Sequence, residues 1–269
     1  MAGPFTIVFA NAKGGVGKTT SAVHVAGAFA ETGADTVLVD LDPQASATRH
    51  LGLDPDSLET TVTDVLIDPA AGLARAVVAT RYERLLCVPG HESLGEMESE
   101  LAVIGGREDL LFNAWQADSP ACRVAIIDVP PALSLYTVNA LRLAQAVVVP
   151  VQTHPFAVST VPRTQALVDR VRRRLNPGLR LIGYLATLYD RRTRVARECL
   201  ARMESAWGPD LLEAVIPINV ALAEAAREGR LLYEIDPESA GAAAYYDVTR
   251  EVAERMTSWR DRVPAGDAA

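Results

Sequence analysis

The chain has 269 residues, 49% of them hydrophobic and 22% charged, with a formal net charge of −8. That length and apolar content suit one substantial core, and the negative balance excludes a protein that is basic throughout. No run approaches the roughly 20 apolar residues of a membrane span, no basic region precedes an apolar signal core, and Cys87, Cys122 and Cys199 fit neither a CxxC nor a zinc spacing, so a cytoplasmic protein without disulfides is expected.

In chain order, "FTIVFA" (5–10), "TVLVDLD" (36–42), "LLCVP" (85–89), "VAIIDV" (124–129), "AVVVPV" (146–151) and "LIGYLAT" (181–187) are short, β-branched-rich runs that read as buried strands. Segments with helical spacing lie at 18–32, 96–116, 134–144, 156–175 and 193–206. A further one, 245–263, sets Val248, Val252, Met256, Trp259 and Val263 on one stripe amid mixed charges, which suits packing against a sheet better than lying on a membrane. The alternation predicts right-handed βαβ crossovers and an α/β fold, a doubly wound, mostly parallel sheet flanked by helices. No linker or repeat divides the chain, so a single domain over 1–269 is expected, frayed at 1–3 and 264–269.

The stretch "FANAKGGVGKTT" (9–20) joins the first strand to the first helix, and it holds both lysines of the chain, Lys13 and Lys18, against 24 arginines elsewhere. A strand, a glycine-rich turn and Lys-Thr-Thr at a helix start surround an anion with backbone N–H groups, which makes 13–20 a candidate phosphate loop. Gly14, Gly15 and Gly17 let the backbone approach oxygens, with Val16 between them. Lys18 supplies a flexible point charge, the Thr19 hydroxyl suits Mg²⁺, and Thr20 faces the α-phosphate. The ordinary GxxxxGK[ST] spacing calls for glycine where Ala12 stands, followed here by the second lysine. Restricting lysine to this loop implies that the planar guanidinium is unwelcome there. Asp128 ends an apolar strand at the sheet's carboxyl edge, where it can reach Mg²⁺ through water. Asp40 and Asp42, at i and i+2 of the neighbouring strand, are expected on one side of it. The plain alternative for each is capping the following turn.

KGGVGKTT resembles the deviant Walker A motif of the ParA/MinD class of ATPases. "VLVDLDPQASATRHLG" (37–52), "VAIIDVPPALSLYTVNAL" (124–141), "VPVQTHPFAVST" (149–160), "LYDRRT" (188–193) and "IPINVALAEA" (216–225) extend the likeness to ParA/Soj-type partition ATPases over nearly the whole chain. The resemblance implies a P-loop NTPase of the SIMIBI, ParA-like kind that takes ATP and Mg²⁺. It makes Asp128 the Walker B acid and gives Asp42 the orientation of the attacking water, with a further water-mediated contact to the metal. Asp40 would support the loop lysine or the metal shell. Lys13 would reach across an ATP-dependent homodimer into the partner's nucleotide, and Pro217 and Asn219 would lie near the adenine. The chain begins at the first strand, so the helix-turn-helix extension of longer plasmid types, and with it operon repression, is not expected.

By the same resemblance the dimer binds nonspecific DNA, giving a nucleoid-associated protein. A ParB-like or adaptor partner on the cargo would stimulate slow hydrolysis. The cargo would be a chromosome or plasmid, or alternatively a protein organelle, as for McdA. A metabolic or assembly ATPase of the same fold is the remaining alternative, disfavoured by the missing CxxC. Residues 163–202 hold eleven arginines against Asp169, Asp190 and Glu198. If the fold brought Arg172, Arg173 and Arg174 next to Arg191, Arg192, Arg194 and Arg197, it would present a basic surface; a solvated helix face is the plain alternative. Ile218 and Ala221 stand where partition ATPases often carry basic residues, so the expected contacts are Arg191, Arg192, Arg194 and Arg197, then Arg227 and Arg230.

Overall fold

Strand β1 (Phe5–Phe9) lies in the middle of the sheet, with Ile7, Val8 and Phe9 wholly buried, which is what a run of apolar and β-branched residues needs on both faces. α1 (Lys18–Glu31), β2 (Thr36–Asp40), α2 (Ser46–His50), α3 (Val62–Ile67), the two-residue β3 (Val78–Ala79) and β4 (Leu85–Val88) follow. Next come α4 (Ser93–Leu101), α5 (Leu110–Ala117), β5 (Val124–Asp128), α6 (Leu135–Leu143), β6 (Ala146–Gln152), α7 (Ala157–Arg174) and β7 (Arg180–Tyr189). The chain continues with α8 (Arg194–Trp207), β8 (Leu211–Pro217), α9 (Val220–Glu228), α10 (Leu232–Ile235) and α11 (Ala240–Arg260). The computed structural model describes residues 4–260 except 102 and 133, and the side chains of these except 157, 159, 160 and 260. The frayed ends expected at 1–3 and 264–269, and Val263 of the apolar stripe, lie outside the described residues.

The strands form one eight-stranded sheet in the order β3-β4-β2-β5-β1-β6-β7-β8, parallel except that β3 runs against β4. Side chains alternate between two cores, as the period of two requires. Val8, Val39, Ile127 and Val147 face the core shared with α3 to α8; Ile7, Phe9, Leu38, Ile126 and Val148 face the one shared with α1 and α11. Each such fully buried side chain contributes about 2 kcal/mol. On α11, Val248, Val252 and Met256 belong to the second core, so the C-terminal stripe packs inward. Among the described residues no helix is long and apolar enough to cross a membrane.

Three expectations need correction. The continuous helix over 96–116 is broken into α4 and α5, and the connection between them holds Gly105-Gly106, with Gly106 at φ 75, a left-handed conformation through which no helix runs. Strand β2 closes at Asp40, so Asp42 lies beyond it in a turn rather than two places along the same strand face. The third concerns the arginines. α7 ends before β7 begins and α8 starts after β7 ends, so Arg172–Arg174 and Arg191–Arg197 sit at opposite ends of a ten-residue strand. At about 3.3 Å per residue the two groups are about 30 Å apart and form no common surface.

The outer strand β8 shifts register against β7 between Tyr184 and Ala186. At that irregularity the Glu251 carboxylate accepts both the Glu213 and the Ala214 N–H, at 3.1 and 3.2 Å. Arg255 holds Glu251 at 2.6 Å and donates to the Ile182, Pro209 and Leu211 carbonyls.

Candidate functional site

The parallel strands end together, and the loops that leave their carboxyl ends converge on one edge of the sheet. Phe9 and Asp40 are each in register with Asp128, so the loop after β1, the end of β2 and the end of β5 are direct neighbours. In the loop, Gly15 and Gly17 have φ of 70 and 83, left-handed positions that an L-residue occupies only under strain. Gly17 is also the N-cap of α1, so Lys18, Thr19 and Thr20 form its first turn and their N–H groups point out of the helix start. Opposite Gly14, a Cβ would stand 3.6 Å from that of Pro131, in the segment after Asp128.

Lys18 is only 6% exposed, and its ammonium donates to the Lys13 carbonyl at 3.2 Å. Burial lowers its pKa, while the charges of Asp128 and then Asp42 pull it back up. Asp128 is fully buried, and neither of its carboxylate oxygens has a hydrogen-bond partner among the described residues. Burial, and next the neighbouring Asp40 carboxylate, push its pKa well above the carboxylate range; the adjacent Thr19 side chain acts in the opposite direction. Buried carboxylate oxygens are ordinarily satisfied, so an orphaned pair beside a hydroxyl and an ammonium fits a hydrated divalent cation.

Asp40 differs. Its Oδ2 accepts from the Thr48 N–H at 2.9 Å and the Thr48 hydroxyl at 2.8 Å, and its Oδ1 accepts from the Asp42 N–H at 3.1 Å. Burial pushes its pKa up to about 6, against the pull of these bonds. This carboxylate is occupied in tying α2 and the Asp42 turn to β2, and no bond from it to Lys18 is present. Asp42, 7% exposed, accepts the Gln44 N–H at 2.9 Å through Oδ1, so it caps its turn while lying close enough to Lys18 and Asp128 to act on both.

Sequence reasoning missed the residues that hold the loop in place. Asn11 donates to the Pro150 carbonyl at 2.7 Å and accepts the Lys13 N–H at 3.0 Å. Thr164 of α7 accepts the Ala12 N–H at 3.0 Å, and Thr187 of β7 donates to the Val16 carbonyl at 2.8 Å. Asn11 had a local signal, an amide side chain at the mouth of a turn. The two threonines had none, since their partners lie more than 150 residues away in sequence.

The structure brings Pro217 and Asn219 to the same edge, because Pro217 ends β8 in register with Tyr189. Asn219 caps α9 by accepting the Ala221 N–H at 2.9 Å. The turn before α8 and the first turn of that helix also lie there, with Arg191 and Arg192 in the former and Arg194 and Arg197 in the latter all exposed. Asp190 grips Arg192 through two bonds of 2.9 and 3.0 Å, and Glu198 pairs with Arg194 at 2.6 Å. Arg197 donates to the Arg191 carbonyl, and neither has a carboxylate partner among the described residues. Arg230 pairs with Glu228 and Glu234 at 3.4 and 2.9 Å, and Arg227 with Glu228 at 3.5 Å, which offsets much of their charge.

A family model described as an AAA domain matches residues 5–181. The sporulation initiation inhibitor protein Soj of Bacillus subtilis is 36% identical over 92% of this chain and 97% of its own length. The chromosome partitioning protein ParA of Caulobacter vibrioides is 36% identical over 95% of both chains. Among solved structures, cobyrinic acid a,c-diamide synthase of Mycobacterium smegmatis with bound ATP analogue and magnesium superposes with a TM-score of 0.82, at 33% identity over 96% of this chain and 98% of that one.

Proposed function

The chain belongs to the ParA/Soj family of partition ATPases, and from that premise we propose that it binds ATP with Mg²⁺, closes into a homodimer around the nucleotide, and holds nonspecific DNA until a cargo-bound partner stimulates hydrolysis. The observation that carries this reading is Asp128, a fully buried carboxylate whose oxygens lack a well-formed hydrogen bond among the described residues, close to the Thr19 hydroxyl and the Lys18 charge at the start of α1.

In this reading Gly14 to Thr20 cradle the phosphates through backbone N–H groups, and Lys18 leaves the Lys13 carbonyl for the terminal phosphate oxygens. Thr19 and Asp128, the latter through water, would hold the metal, which when bound neutralises charge on the phosphate oxygens. Asp42 orients the attacking water with the oxygen not bonded to Gln44, and Asp40 acts one step back by fixing the Asp42 N–H. Lys13 projects from a backbone anchored by Asn11 and serves the nucleotide of the second copy. Pro217 and Asn219 border the base. The exposed arginines of 191–197 meet phosphate backbones without regard to sequence.

The likeness to the Mycobacterium smegmatis synthase favours a second reading, a metabolic ATPase that activates a small molecule. ATP turnover with and without plasmid DNA, together with a gel shift with and without ATP, separates the two. ATP-dependent, sequence-independent DNA retention supports partition; turnover accelerated by a small metabolite and indifferent to DNA would overturn it.

A further inference from the structure

Strand β7 joins the phosphate loop to the arginine turn. Thr187, 1% exposed, donates its hydroxyl to the Val16 carbonyl at 2.8 Å, and a Cβ on Gly17 would stand 3.8 Å from both Cβ and Cγ2 of Thr187. The side chain is therefore seated against the Val16–Gly17 peptide, immediately before Lys18.

The backbone of Thr187 is held as firmly. Its carbonyl accepts the Thr153 N–H at 2.9 Å and the Thr153 hydroxyl at 3.3 Å, and that hydroxyl also reaches the Leu188 carbonyl at 3.1 Å. Leu188 then takes φ 53, a left-handed conformation that a leucine adopts only when its surroundings impose it. On its far side, the Tyr189 carbonyl accepts the Ile218 N–H at 3.0 Å and Asp190 bonds Arg192 and Thr193, which starts α8. Two residues, Leu188 and Tyr189, the first of them strained, separate the phosphate-loop contact from the 190–193 turn that carries Arg191 and Arg192 and leads into Arg194.

We propose that Thr187 is a positioning residue of the nucleotide site: its hydroxyl sets the Val16–Gly17 peptide so that the N–H groups of Gly17 and Lys18 face the phosphates, and through Leu188 the same contact transmits the loop's position to the arginine turn. The role rests on the nucleotide-driven partition reading for its biological use, but not for its test. An order–disorder step is not required. A small shift of the Val16 carbonyl on phosphate binding moves a fixed hydroxyl, and the strained Leu188 is the joint that turns that shift into reorientation of 190–193.

The full chain is compared with Thr187→Val, which keeps the shape and loses the donor, with Thr187→Ser, which keeps the donor, and with Leu188→Gly, which removes the strain and leaves the loop contact intact. Thr187→Val should raise the KM for ATP about tenfold with kcat at saturating ATP little changed, the scale of one lost buried hydrogen bond, and Thr187→Ser should restore it. Amide hydrogen exchange at 188–193 should change when ATP and Mg²⁺ are added to the parent and to Thr187→Ser, and not in Thr187→Val. Leu188→Gly should keep the parent KM and lose that exchange response. A parent-like KM in Thr187→Val, an exchange response that survives in it, or no response in the parent overturns the proposal. Failure of the parent to retain DNA, with the KM and exchange results as expected, removes the partition reading and leaves Thr187 in this role. Should Thr187→Val fail to fold, the Leu188→Gly comparison decides the transmission.

Discussion

The Lys18 ammonium lies 3.2 Å from the carbonyl oxygen of Lys13, so the two lysines of the sequence meet inside one loop. The Lys18 ammonium thus bonds the loop's own backbone, and Asn11 accepts the N–H of the same residue, Lys13.

Lys18→Ala should weaken ATP binding by a factor on the order of 10² or more, since a charge-assisted contact to phosphate is removed from a largely buried position. Lys13→Arg should bind ATP with near-parent affinity yet fail to dimerise and hydrolyse, because a planar fork does not replace an ammonium in a crowded site. Equilibrium binding of a fluorescent ATP analogue, paired with sedimentation velocity, reads both. ATP-dependent dimers of the Lys13→Arg variant would sink the explanation of the lysine pair.

Asp42→Ala and Thr48→Val should divide chemistry from scaffold. The first removes water orientation and should lower hydrolysis by about 10² to 10⁴ while ATP binding persists. The second deprives the buried Asp40 carboxylate of the Thr48 hydroxyl and the Gly90 N–H of its acceptor, which should cost about 1–3 kcal/mol of stability. Thermal unfolding and single-turnover hydrolysis check the pair; equal loss of turnover in both variants would show that Asp42 acts only through the fold of its turn.

The ion pairs at the start of α8 rank the arginines. Arg191 has no carboxylate partner among the described residues, whereas Arg192 is chelated by Asp190. Arg191→Ala should therefore weaken ATP-dependent DNA binding more than Arg192→Ala, and the Arg191, Arg192 and Arg194 triple alanine variant should abolish DNA retention while dimerisation survives. Each lost phosphate contact should also reduce the salt dependence of binding by about one unit of slope. Gel shifts across a salt series measure this, and unchanged affinity in the triple variant would falsify the surface.

Two histidines, His24 on α1 and His50 at the end of α2, are buried with their rings 5.1 Å apart, and both are held neutral. Burial first, and then the His50 charge, lowers the pKa of His24 to about 3; burial lowers that of His50 to about 4. With folded values below the unfolded value of about 6.5, the unfolded chain binds more protons as pH falls through that window, so these groups withdraw stability from pH 6.5 downward. Asp40 acts in the opposite sense between pH 6 and 4, because its folded pKa is raised. A difference measurement isolates one group. His50→Phe should gain on the parent by up to about 1.4 kcal/mol per pH unit between 6.5 and 4, read from denaturant midpoints. Parallel pH curves for the two proteins would rule out a buried neutral His50.

The central strands, the strand–turn–helix geometry of the 13–20 loop and the place of Asp128 at a strand end were legible because their signals are local: a continuous apolar run, a glycine spacing, an acid closing an apolar strand. The division of labour between Asp40 and Asp42 was not, since spacing alone cannot reveal that Thr48, eight residues on, occupies the first carboxylate. Strand β8 escaped notice for a similar reason. Its residues "LLEAVIP" have the burial order of an irregular outer strand rather than a clean alternation, and the partner that shapes it, Glu251, lies on α11. The arginine clusters misled because composition counts charge along the chain, whereas a strand ten residues long sets the two clusters apart.

The Glu251 carboxylate seated on the Glu213 and Ala214 amides also limits how copies of this protein can join. A parallel sheet with a bare outer strand invites another molecule to continue it, and continuation has no natural stopping point. Here two donors of that strand are already engaged by a carboxylate that Arg255 clamps at 2.6 Å, and at the opposite margin β3 offers only two residues. Growth by strand addition is thus discouraged on both flanks. Under the proposed function, association would instead use the edge where the phosphate loop opens, a contact that would close on itself at two subunits and that ATP hydrolysis would undo.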